Sequence, residues 1–239
     1  MATQTETGLE HGPLRDGMRA LVAEALGTGD GRLVMDAVET AFSFVDAFAD
    51  EQLLFDRKIG AVACARTCGF CCAFLQVQAT ALEVLAIGER IRADWPDEER
   101  QALVTRLALQ DAHRLRPVTT LHGDGFPAHS CALLQGALCG SQDGHPSRCQ
   151  GALIQEIAGI GQDGMSPDGM WGESPRSGGI AQAAQDGLRL ALRDAGRDSE
   201  LVDLIGALLI VLRDRHTLSR WMSGEDVFET ARPRVLAAQ

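Results

Sequence analysis

The chain has 239 residues, a length that fits one domain, and its 45% hydrophobic and 23% charged content is that of a globular protein with a buried core. Thirty-three acidic residues against 22 basic ones leave a formal charge of -11, so the surface repels phosphate backbones and nucleic acid is not an expected partner. No apolar run approaches the ~20 residues of a membrane span, and Met1 to Glu10 lack the basic and apolar regions of an export signal. The expectation is a cytoplasmic protein with no membrane partner, in a compartment where thiols stay reduced.

Residues 1–13 are polar and read as a flexible tail. Leu14, Met18, Leu21, Val22 and Leu26 then recur at helical spacing, and Gly27 closes that helix. A longer helix is predicted from about Leu33 to Lys58, with Val34, Val38, Phe42, Val45, Phe48, Leu53 and Phe55 on one apolar face. Leu75 to Ala79 alternates as a strand would. Thr80 can cap a helix from Ala81 to about Ala93, with Glu83 at its third position. Pro96 suits the first turn of the next helix, which runs to about Leu115. Residues 117–149 and 161–179 are loop-rich in Gly and Pro, the second reading as a connector or lid. Helices follow at about 179–195 and 198–213, with a short one at 224–231. The fold class is therefore mainly α, a helical domain with irregular cysteine-bearing loops pinned around a metal site. One domain spans 14–239.

The metal enters the argument through the cysteines. Cys64, Cys68, Cys71 and Cys72 fall within nine residues, and Cys131, Cys139 and Cys149 complete the seven. An odd number in a reducing compartment argues against a disulfide framework. Thiolates at this density suit zinc, iron–sulfur clusters or Cu(I). Were the first four helical, they would share an arc of roughly 100°; Gly69 favours a knuckle instead. Adjacent Cys71 and Cys72 fit one tetrahedral metal poorly, so either one packs or two metals are served. Seven thiols exceed the four that one zinc or one cubane cluster requires.

The run from Cys64 to Cys72, followed by Val77 and Glu83, resembles the CxxCxxCC (YkgJ-like) family of zinc- or iron-chelating cysteine-cluster proteins. The later block Cys131-Ala132-Leu133-Leu134, Leu138-Cys139 and His145-Pro146-Ser147-Arg148-Cys149-Gln150 is similar to the family's second motif. Trp221, Gly224, Glu225 and Phe228 resemble its Trp-x-x-Gly-Glu-x-x-Phe ending, so the likeness runs from about Ala61 to the C-terminus. This chain departs in its three-residue first gap, in Thr67 where many relatives have Gly, and in His145 and Gln150 where the family has Arg. The Tyr usual before the Pro is also missing. The resemblance implies metal chelation by all seven cysteines, with iron or an iron–sulfur cluster favoured and zinc the alternative. It implies no settled reaction. A related cluster occurs in flagellin lysine methylases, where an iron–sulfur centre is implicated.

Other candidates are weaker. His122, His129 and His145 flank the second cysteine group and could complete a mixed site, although solvated loop histidines are the simpler reading. Glu83 reads as a capping residue, with a hard ligand or a carboxylate behind one as the alternative. Trp221 reads as a packing anchor. The glycine pattern at Gly159, Gly161 and Gly164 has the spacing of a dinucleotide loop but no strand before it and no helix after it. A cytoplasmic metal-binding protein is the leading expectation. The alternative is an iron- or iron–sulfur-dependent enzyme acting on a peptide or small molecule, its catalytic residues unidentified. A zinc-held adaptor with a protein or peptide partner ranks third.

Overall fold

A computed structural model describes residues 11–58, 77–113, 131–135, 138–139 and 177–232. Within them the chain is mainly helical, as its periodicity requires. Helix α1 spans Gly12–Thr28 and α2 spans Gly31–Lys58. Pro13 sits in the first turn of α1, where its missing N–H costs nothing. The helix therefore starts two residues inside the expected tail. It also runs past Gly27, because the left-handed position that ends it is Gly29, at φ 72°, whose N–H reaches the Leu26 carbonyl.

Val34, Val38, Phe42 and Val45 of α2 are buried as expected. Phe48 is not. It lies at the margin of that arc, on the side of Phe44, and both rings are about half exposed. The side chains of Leu53 and Phe55 lie outside the described set.

Strand β1 is Gln78–Ala79, the described end of the predicted strand. Helix α3 follows at Ala81–Asp94 and α4 at Asp97–His113. A two-residue ladder joins β2 (Leu134–Gln135) to β3 (Leu138–Cys139), antiparallel, with Leu134 opposite Cys139. Helix α5 spans Ser177–Asp194, β4 Val202–Asp203, α6 Leu204–Arg213 and α7 Thr217–Met222. A single 3-10 turn occupies Glu229–Ala231.

Two sequence-based boundaries are corrected. The helix expected from Asp198 begins only at Leu204. Asp203 caps it by accepting the Gly206 N–H at 2.9 Å, and Val202 is held in an antiparallel pairing with Ala79 of β1. The short helix expected at 224–231 is instead α7 at Thr217–Met222. Gly224 adopts φ 96° and ends it, with its N–H on the Trp221 carbonyl and the Glu225 N–H on that of Arg220.

The core forms where α1 lies along α5 and where α6 lies against both α3 and α4. Glycines permit two close approaches between helices. A Cβ at Gly187 of α5 would sit 2.6 Å from the Arg15 carbonyl oxygen of α1, and one at Gly88 of α3 would sit 2.2 Å from Val211 Cγ1 of α6. Helix α3 is buried on every side from Ala81 to Gly88, which places its N-terminal end in the centre of the molecule.

Candidate functional site

Of the seven cysteines, Cys64, Cys68, Cys71, Cys72 and Cys149 lie outside the described residues, as do His122, His129 and His145. The structure does show what holds the chain just beyond the first group. Val77, five residues after Cys72, accepts the Leu204 N–H at 2.9 Å. Gln78 pairs with Asp203, and its carbonyl also accepts the side-chain amide of buried Gln185 at 3.2 Å. Three elements thus fix the point at which the chain leaves the cysteine run.

The second group is tied to α4. Cys131 is half-buried and packs against the core. Next to it, Ala132 donates its N–H to Gln110 Oε1 at 2.7 Å and accepts from Arg106 Nε at 3.0 Å. Residues 106 and 110 stand one turn apart on one helix face, so the two side chains grip both sides of a single residue. Leu133 follows with 2% exposure. The β2–β3 ladder then returns the backbone so that Cys139 faces Leu134. Among the described residues no three His, Cys, Asp or Glu side chains converge as a metal site.

Glu83 is a capping residue in the structure. Its Oε2 accepts the Thr80 N–H at 2.6 Å and the Thr80 hydroxyl at 2.9 Å, and its own N–H donates to Thr80 Oγ1 at 3.3 Å. Both side chains have no solvent exposure. Trp221 is likewise the expected packing anchor, buried under the Arg197 guanidinium, which lies 5.4 Å from its ring centroid.

Beside Trp221 the structure opens a cavity of about 520 Å³ that sequence reasoning missed. Val202, Trp221 and Phe228 supply apolar wall, and Arg197, Asp198, Glu200, Asp226 and Arg232 supply charge. Arg197 donates to the carbonyls of Trp221 at 2.8 Å and Met222 at 2.6 Å. Arg232 gathers three carboxylates: Asp198 at 2.5 Å, Asp226 at 2.8 Å and Glu200 at 3.0 Å. Burial pushes the Asp198 carboxyl up, but hydrogen bonds from Arg232 and the Glu200 N–H outweigh it and hold the group below its ordinary value. Glu225, hydrogen-bonded to Arg220, is also held below the usual range. These pairings join residues as far as 34 positions apart, so no local pattern signals them.

Comparison with known proteins found no matching family, no similar curated protein and no similar solved structure.

Proposed function

We propose that this chain is a cytoplasmic metal-binding protein that chelates iron, held as an iron–sulfur cluster, or zinc, through clustered cysteine thiolates. The observation that carries the reading is the placement of four of the seven cysteines between Cys64 and Cys72. Soft thiolates are the donors that zinc and iron–sulfur centres take. Two features of the scaffold support it. Chain connectivity keeps Cys72 within about 18 Å of the anchored Val77, and the Arg106–Gln110 grip fixes the backbone beside Cys131. A metal drawn from both groups would cross-link β1, α4 and the β2–β3 ladder, and its binding free energy would add to folding. The resemblance to the CxxCxxCC family supports the same conclusion. In the helical fold, the cysteine-bearing segments would then be the parts pinned by metal.

The experiment is a Cys68→Ser/Cys71→Ser variant purified beside the parent under exclusion of oxygen. Loss of bound metal with a lowered melting temperature is expected; full metal content overturns the proposal. Cys131→Ser tests the second group, since retention of metal there would assign that thiol to packing. An enzymatic role for iron is the second reading, favoured by thiols in excess of one four-ligand centre. It requires a centre that changes oxidation state.

A further inference from the structure

Arg106 carries a buried donor that no described residue uses. Its Nε donates to the Ala132 carbonyl at 3.0 Å, whereas its Nη2 is buried and meets no hydrogen-bond partner among the described residues. In a guanidinium the Nε–H and one Nη2–H lie parallel on one edge, so both aim at the same stretch of a partner. Elsewhere in the molecule that edge is filled. Arg19 gives Nε and Nη2 to the two carboxylate oxygens of Asp194, at 2.6 and 3.0 Å, and Arg220 gives the same pair to Glu225. On Arg106 one half of the edge meets the Ala132 carbonyl, and the other half points beside it, at the segment that carries Cys131. Leu133, on one side of Ala132, is apolar and 2% exposed. Cys131, on the other side, has its Cα about 3.8 Å from that of Ala132 and bears a sulfur that can accept. A guanidinium hydrogen buried without a partner favours an anionic acceptor, because low dielectric strengthens that pairing. Thiolates gathered on zinc or on an iron–sulfur cluster form such a centre, and their sulfurs still accept N–H donors.

We propose that Arg106 is a positioning residue of the metal centre: its Nη2 donates to a thiolate sulfur at Cys131 and offsets part of the centre's negative charge. The inference rests on the metal-binding reading and leaves the ligand set unchanged, since an arginine that stays charged cannot itself ligate. Arg106 then holds the Cys131 segment at two points, the backbone through Nε and the sulfur through Nη2. Gln110, which takes the Ala132 N–H, holds backbone alone. The two residues of the grip therefore differ in what they do to the sulfur.

The test compares the full-length parent with Arg106→Gln, Arg106→Lys and Gln110→Ala, all purified without oxygen. Arg106→Gln keeps a donor for the carbonyl and loses the charge. Metal held about tenfold more weakly against a competing chelator is expected, the loss usual for a residue that supports a ligand from behind. Arg106→Lys, which restores the charge, should recover part of it. The readout specific to sulfur is electronic. In an iron–sulfur protein Arg106→Gln lowers the reduction potential; in a zinc protein reloaded with Co(II) it moves the sulfur-to-metal charge-transfer band to lower energy. Gln110→Ala should move neither. Should Arg106→Gln fail to fold, the parent decides: the guanidinium nitrogen resonances of Arg106 shift when the metal is stripped, and those of Arg19 do not. An unchanged potential or band, an equal shift from Gln110→Ala, or an unmoved Arg106 resonance overturns the proposal and leaves the metal reading standing. A parent that binds no metal overturns both.

Discussion

Two carboxylate sites in this molecule use similar contacts in opposite surroundings. Glu83 accepts from Thr80 with both side chains wholly out of water. The Arg232 cluster makes three charge-assisted contacts, with side chains 29% to 69% exposed. Water competes for the second set and not for the first, so distance alone misjudges their worth. The pair of helices α1 and α5 repeats the contrast within one interface. Arg19 and Asp194 meet in an exposed two-bonded ion pair at 2.6 and 3.0 Å, while Gly187 lets the two backbones close up inside.

Removal of the buried partner should break the molecule first. Glu83→Ala leaves the Thr80 N–H and hydroxyl without that acceptor in a dry site, at a cost of about 3 kcal/mol in chemical denaturation. Glu83→Gln, which keeps shape and an acceptor oxygen, should cost less and so separates shape from charge. Next comes Gly187→Ala, whose new Cβ meets a backbone oxygen that cannot rotate away; about 2 kcal/mol is expected. Arg19→Ala across the same interface should move the denaturation midpoint far less. Arg232→Ala should cost about 1 kcal/mol or less, and its effect should shrink further in high salt. An Arg232 effect larger than that of Glu83 would overturn the comparison.

Acid has the smallest expected effect. The carboxyls of Asp194, Asp198 and Asp214 are held below their ordinary value of 3.8 by hydrogen bonds to arginine or backbone donors. Groups lowered on folding contribute stability above their unfolded value and lose it as the pH falls through the folded one. Between pH 5 and 8 these three should therefore leave stability unchanged, with their loss confined below about pH 4. A decline through these groups near pH 6 would contradict that.

What the sequence revealed follows the range of the interaction. Period and caps are local, so α1 to α5 were legible, and Thr80 with Glu83 named a helix start to the residue. The boundary expected at Asp198 failed for a nonlocal reason. Asp203 looked like the interior of one long helix until β1, more than 120 residues earlier, paired with it. Phe48 showed that periodicity defines an arc but not where its neighbours stop. The cavity beside Trp221 was invisible because its ion pairs reach across the chain, although Trp221 itself read correctly as an anchor. The metal expectation rests on cysteine density, and of the seven cysteines only Cys131 and Cys139 lie within the described residues.

The most direct test of metal chelation is elemental analysis with acid-labile sulfide and a visible spectrum, on protein purified without oxygen or an affinity metal. The account predicts near-stoichiometric metal: iron with matching sulfide and a brown chromophore for a cluster, or colourless zinc for a closed thiolate site. Protein that folds with neither metal bound would contradict it.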